Sequence, residues 1–214
     1  MVKSSFSHVD VWVFDLDNTL YPPDVALFDQ IEVLMTDFVQ RALNVPRAEA
    51  DRLRDLYWQL HGTTLAGLMA EHNVDPEAFM HAVHAIDFSV LSADPALARA
   101  ITALPGRKIV YTNGSEPYAN EVLKGCGLDG LFDAIYGVEH ASYLPKPDAR
   151  AFELVFNRDG LDPRKAAMFE DSTRNLEVPH QLGMRTVHVA PVAEEQDFIH
   201  HHTDDLTAFL SQLV

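Results

Sequence analysis

Residues 9–20 read VDVWVFDLDNTL, and the fold follows from how this stretch is divided. Val9 to Phe14 is dense in β-branched and aromatic residues and closes on Asp15, as expected of a buried strand that delivers an acidic side chain to its C-terminal edge. From Pro22 to about Phe88 the periodicity changes. The stretches Val25 to Leu43, Ala48 to His61, Thr64 to His72 and Pro76 to His84 carry apolar residues at three- and four-residue spacing, with no strand-like run between them. After Asp94-Pro95 and a short helix, four more strands are expected: Lys108 to Thr112, Ala134 to Tyr136, Ala166 to Phe169 and Arg185 to Val189. Helical segments separate these strands, and that alternation predicts an α/β fold with a parallel sheet, whose ligand sites gather at the carboxyl ends of the strands. The helical stretch is then an insertion: a core domain of residues 1–21 and 91–214, with a helical cap of residues 22–90 placed after the first strand.

The 214 residues hold 47% hydrophobic and 22% charged residues, and mean hydropathy is −0.07, the profile of a folded globular chain. Sixteen Lys and Arg stand against 32 Asp and Glu, a net charge of −16. Such a surface repels phosphate backbones and anionic lipid, so neither polymeric nucleic acid nor a membrane is an expected partner. An acidic protein that handles a small anion needs local cations or a bound metal. The single cysteine, Cys126, has no internal partner, which fits a reducing compartment, and no run approaches the length of a membrane span; a cytoplasmic location is expected. His200, His201 and His202 precede Asp204, Asp205 and an amphipathic helix and are read as a solvated loop.

Four segments carry chemistry. In Phe14 to Leu20, FDLDNTL, Asp15 and Asp17 lie two apart at a strand end and project to the same side. One carboxylate can bind a divalent cation and attack an electrophile. The other, its pKa raised by a like-charged neighbour, can serve as general acid and base. Tyr111 to Ser115, YTNGS, offers the Thr112 hydroxyl and the backbone N–H groups around Asn113 and Gly114 to a phosphoryl oxygen. In Leu144 to Asp148, LPKPD, flanking prolines stiffen the chain around Lys146 and fix a cation. Phe169 to Asn175, FEDSTRN, puts Glu170 and Asp171 at another strand end as hard oxygen ligands for Mg²⁺.

The ordered set FDLDNTL, YTNGS, Lys146 in LPKPD and FEDS resembles the four motifs of the haloacid dehalogenase superfamily, across residues 9 to about 190. The resemblance implies a Rossmann-like core with an inserted helical cap and a Mg²⁺-dependent phosphomonoester hydrolysis. It implies Asp15 as the nucleophile that forms an aspartyl-phosphate, Asp17 as general acid/base, and Thr112, Asn113 and Lys146 as phosphate-binding residues. Asp15, Asp171 and the backbone carbonyl of Asp17 would ligate the metal, with Glu170 supporting its water shell. The superfamily branch that displaces halide without a metal lacks the second aspartate, which stands here as Asp17.

More narrowly, FDLDNTLYP, FEDS followed by Asn175-Leu176, and HGTTLAGL from His61 to Leu68 resemble pyrimidine 5′-nucleotidase-like members. That likeness implies UMP or CMP as substrate. His61, Thr63 and Thr64 lie on a turn between two helical stretches, from which imidazole and hydroxyl groups are expected to reach a ribose or base, and a monomer or homodimer is expected. A broad-specificity phosphatase for small metabolites is the alternative, and a catalytically silent binding protein of the same fold is the alternative of a different class. Trp12 and Trp58 are assigned to packing, His188 to a packed or rim position, and His81 with His84 to a helix face without a third metal ligand.

Overall fold

The computed structural model describes residues 2–214. Helix α1 (Val2–Ser5) precedes strand β1 (Val11–Phe14), after which α2 (Leu27–Leu43), α3 (Arg47–His61), α4 (Thr64–His72) and α5 (Pro76–Val83) follow with no strand between them. Helix α6 (Pro95–Ala103) leads into β2 (Arg107–Tyr111), α7 (Glu116–Gly125), β3 (Ala134–Tyr136), α8 (Ala149–Asp159) and β4 (Ala166–Glu170). The chain closes with α9 (Glu177–Gln181), β5 (Arg185–Val189), β6 (His201–Thr203) and α10 (Leu206–Leu210).

The strands form one parallel sheet in the order β3-β2-β1-β4-β5-β6. The α/β, Rossmann-like fold expected from the sequence is the observed one. Strands β1 and β4 are buried along their whole length, and their residues alternate between the two faces. Trp12 and Phe14 join Ala167 and Phe169 in an apolar cluster that continues through the inserted helices to Leu65, Leu68 and Phe79. Val11 and Val13 face the other way, with Met168, Phe152 and Val155. Side-chain caps fix where helices begin: Thr63 for α4, Asp75 for α5, Asp94 for α6, Ser115 for α7 and Asp148 for α8.

Three sequence expectations are corrected. Strand β1 begins at Val11, because Val9 and Asp10 precede the ladder, and β2 spans 107–111 rather than 108–112. His201 and His202 belong to a sixth strand and not to a solvated loop, since they pair with Val187 and His188 of β5 and are half-buried. His200 is exposed as expected, although its Nδ1 accepts the Thr186 N–H at 3.2 Å. Cys126 is buried and unpaired, and no helix among the described residues is long and apolar enough to cross a membrane.

The chain order turns back at β1: β2 and β3 build outward on one side, and β4, β5 and β6 on the other. At such a reversal the loops leaving neighbouring strands diverge and open a crevice at their carboxyl ends. The crevice lies above β1 and β4.

Candidate active site

Asp15 continues β1 by one residue, its N–H donating to the Phe169 carbonyl at 2.9 Å. Asn18 then takes a left-handed conformation (φ 59°), which asparagine tolerates, and the chain curls so that Leu20 N–H reaches the Leu16 carbonyl. The curl brings Thr19 Oγ1 to Asp15 Oδ2 at 3.2 Å and Tyr21 OH to Asp17 Oδ1 at 2.6 Å. Tyr118, on the first turn of α7, donates to the same Asp17 oxygen at 2.5 Å. Burial, reinforced by Asp17, pushes both phenols well above the ordinary tyrosine range, so both stay donors.

Lys146 is only 1% exposed, and its three ammonium protons are spent on Asp15 Oδ1 at 2.6 Å, Glu170 Oε2 at 2.6 Å and the Tyr111 carbonyl at 3.0 Å. Burial works to lower its pKa, but the two carboxylates outweigh it and the pKa is raised. Asn113 grips the backbone of this residue, its Oδ1 accepting Lys146 N–H at 2.8 Å and its Nδ2 donating to the Lys146 carbonyl at 3.2 Å. The Asn113 side chain, grouped by the sequence with the phosphate ligands, therefore fixes the lysine loop. Thr112 is buried and its Oγ1 accepts Gly114 N–H at 2.9 Å, leaving the hydroxyl proton without an acceptor among the described residues.

Glu170 has both oxygens engaged, Oε2 by Lys146 and Oε1 by Ser172 N–H at 3.2 Å and Asn175 Nδ2 at 3.1 Å. Asp171 Oδ2 accepts Asn18 Nδ2 at 3.4 Å, and its carbonyl accepts the Nε2 proton of His188, a residue only 1% exposed and packed as the sequence suggested. One oxygen each of Asp15, Glu170 and Asp171 lies within 4.8 Å of the others. Four carboxylates thus crowd around a single ammonium. Burial first, then the neighbouring charge of Glu170, raises the pKa of Asp15 and of Asp171. Burial likewise raises Asp17, against the pull of its two phenol donors. These groups are short of positive charge, and hard carboxylate oxygens so disposed suit Mg²⁺.

Above them lies a cavity of about 550 Å³, floored by Asp15, Thr112, Lys146 and Asp171 and roofed by inserted-helix residues that include Trp58, Thr63 and Phe79. The three recognition residues expected from the cap fare unequally. Thr63 and Thr64 line the cavity, but the Thr63 hydroxyl caps α4 through Ala66 N–H and the Thr64 hydroxyl donates to the Arg54 carbonyl. His61 is absent from the wall and lies 3.6 Å from Glu71. Trp58 also departs from expectation. Trp12 is packed at 1% exposure, whereas Trp58 is 52% exposed on the cavity wall. Tyr21, Tyr118, Arg54 and Arg174 were not anticipated, although Tyr21 directly follows the first motif and Arg174 lies within FEDSTRN.

His84 closes one corner of the cavity, its ring stacked on Tyr118 at 4.1 Å and 11° and its Nδ1 3.1 Å from Ser115 Oγ. Burial lowers its pKa to about 4. The folded protein then binds this proton less readily than the unfolded chain, so the stabilisation is fully present above about pH 6.5 and is lost as pH falls toward about 4, amounting to at most about 3 kcal/mol. His84→Phe keeps the ring stack and removes the titration. Urea midpoints taken from pH 7 to 4 are expected to fall less steeply for the variant; parallel slopes would show that His84 is hydrated in the fold.

Residues 9–183 match the family model described as haloacid dehalogenase-like hydrolase. Phosphate metabolism protein 8 of Saccharomyces cerevisiae is 26% identical over 206 residues, taking in 88% of this chain and 63% of that protein, so the chain spans less than two thirds of that relative's length. Among solved structures, CbbY from Rhodobacter sphaeroides in complex with phosphate superposes with a TM-score of 0.67 at 17% identity, covering 95% of this chain and 99% of that one. A HAD phosphatase from Thermococcus onnurineus gives 0.65 at 17% identity over 96% and 98% of the two chains. L-2-haloacid dehalogenase from Xanthobacter autotrophicus gives 0.54 at 17% identity over 95% and 88%. At such identities the likeness is one of fold.

Proposed function

The chain belongs to the haloacid dehalogenase-like hydrolases, and from that premise we propose that it is a Mg²⁺-dependent phosphomonoesterase working through an aspartyl-phosphate. The observation that carries this reading is the set of four buried or half-buried carboxylates around one fully used lysine at the sheet's reversal point. In this reading Asp15, Asp171 and the Asp17 backbone carbonyl hold the metal. Glu170, both of whose oxygens are engaged by protein donors, supports it from behind. The bound metal would supply the positive charge that lets an anionic phosphoryl group approach carboxylates.

The chain's own groups then divide the work. Lys146 neutralises Asp15 and helps draw in the phosphoryl oxygens, and Thr112 offers its hydroxyl proton to them. Asp15 forms a bond to phosphorus as the ester P–O bond breaks, and Asp17 gives its proton to the departing alkoxide. Because two phenols already donate to Asp17 Oδ1, Oδ2 is the oxygen that gives and takes the proton. The ionised Asp17 next takes a proton from water, whose oxygen attacks phosphorus and releases phosphate and free Asp15. Asp17 also separates this reading from halide displacement. Residues 22–90 act as a cap domain over a core of residues 1–21 and 91–214, and the substrate is a nucleoside monophosphate, UMP or CMP, from which phosphate is removed.

Phosphate release in Mg²⁺ across nucleoside monophosphates, sugar phosphates and phosphoglycolate tests this. A preference for UMP and CMP of about tenfold or more is expected, with loss of all turnover in excess EDTA and recovery on adding Mg²⁺. Flat activity would favour a broad small-metabolite phosphatase, release at the level of a protein-free blank would favour a silent binding protein, and full activity in EDTA would remove the metal from the mechanism.

A further inference from the structure

The cations on the cavity wall are not equivalent. Lys146 is fully spent on Asp15, Glu170 and the Tyr111 carbonyl. Arg54 is held by Asp55, by Thr36 and by the Glu32 carbonyl. Arg174 lines the same cavity, and its guanidinium makes no hydrogen bond or ion pair among the described residues. In a chain of net charge −16, three residues beyond Asp171, an arginine that takes no carboxylate partner calls for another explanation. Its guanidinium lies over Trp58, the guanidinium carbon 4.9 Å from the ring centroid.

Trp58 is equally anomalous. An indole offers one of the largest apolar surfaces available to a core, yet this one stays 52% exposed on a cavity wall, with its N–H unpartnered among the described residues. Trp58 comes from α3 of the insertion and Arg174 from the stretch after β4, so the pair bridges the two sides of the cavity. It is not what holds those sides together there. Gly62, at the end of α3 with φ +90°, already packs against the core, where a Cβ would fall 3.3 Å from Pro145 and 3.9 Å from an Arg174 nitrogen.

A flat aromatic face beside a fork of unspent N–H donors matches one kind of ligand: a planar ring that stacks and carries oxygen acceptors at its edge. The cavity volume of about 550 Å³ lies within the roughly 300–1,000 Å³ of small-molecule sites, so one chamber can hold both a phosphoryl group and such a ring. The geometry points to Trp58 and Arg174 as the subsite that selects the organic part of the substrate, a planar heterocycle with exocyclic oxygens such as a pyrimidine base. This assignment rests on the phosphatase reading and moves base recognition from His61, Thr63 and Thr64 to this pair.

The test compares kcat/KM for UMP with that for ribose 5-phosphate in the wild type, Trp58→Ala, Arg174→Gln and Arg174→Lys. The ratio is expected to fall roughly tenfold or more in all three variants, Lys failing because it keeps the charge and loses the planar fork. A ratio within about twofold of wild type in Trp58→Ala and Arg174→Gln would overturn the subsite. If the wild type prefers another ring-bearing phosphate, the pyrimidine identity falls and the same ratio, taken with that phosphate, judges the pair. If nothing is turned over, the phosphatase reading fails, and uridine titrated against intrinsic fluorescence decides, since Trp12 is buried and Trp58 is the accessible indole. Quenching by uridine that is lost in Trp58→Phe and weakened in Arg174→Gln supports the subsite; no quenching overturns it.

Discussion

Asparagine in place of Asp15 leaves a folded protein that releases no measurable phosphate. The substitution keeps the volume of the side chain and an oxygen to accept from Lys146, reverses the Thr19 contact so that the amide N–H donates to Oγ1, and removes the negative charge that attacks phosphorus in the proposed mechanism. A loss of about 10⁴-fold or more in kcat is expected, as for other enzymes deprived of their nucleophile. Folding should not suffer. Lys146 retains Glu170 as a full ionic partner, and one of four crowded carboxylates becomes neutral, so the thermal midpoint is expected to hold or rise. Phosphate release and melting are measured together on the same preparation. Turnover above about a thousandth of wild type in a protein that melts normally would reassign the nucleophile.

Lys146→Met has the opposite signature, a large loss of stability along with activity. The lysine is 1% exposed and is the one cation within ion-pairing distance of Asp15 and Glu170 among the described residues. Removing one partner of a buried ionic cluster leaves charge uncompensated and costs about 3–5 kcal/mol. The pH dependence identifies the cause. Asp15 and Asp171 already have raised pKa values, so the folded protein takes up protons more readily than the unfolded chain; this contribution to stability is present at low pH and is lost as pH rises through the folded-state values. Without the ammonium those values rise further, and the deficit of the variant in urea unfolding should be larger at pH 7.5 than at pH 5.5. A deficit that is absent, or equal at both, would mean that the lysine acts through packing alone.

Much of this was legible in the sequence because three of the four motifs sit at strand ends, after β1, β2 and β4. A run such as VWVF or AAMF can only be buried between helices, and the residue after it must emerge at the sheet's carboxyl edge, whatever the tertiary details. Thr63, read from the sequence as a recognition residue, has its hydroxyl spent as the cap of α4. The sixth strand was not legible, since His201 to Thr203 has three polar, half-buried residues and becomes a strand only by pairing with β5. The cavity wall was harder still. Thr63 and His61 adjoin the same glycine, yet one lines the cavity and the other turns to Glu71, and spacing along a turn does not report that choice. The meeting of Tyr21 and Tyr118 on one oxygen of Asp17 joins residues that only the closed fold brings together.

The central position of β1 also bears on how the molecule is made. Val11 pairs with Arg107 on one side and with Ala166 on the other, so β1 waits for β2 before one edge is satisfied and for β4 before the other is. Helices α2 to α5 close through short-range contacts and can form meanwhile, whereas the sheet depends on distant pairings that close slowly. During that interval VWVF is an apolar segment with two open edges, the kind of segment that associates with copies of itself or is held by chaperones. Asp15 and Glu170 meet only when β4 docks, so the carboxylate cluster is complete only once that strand is in place.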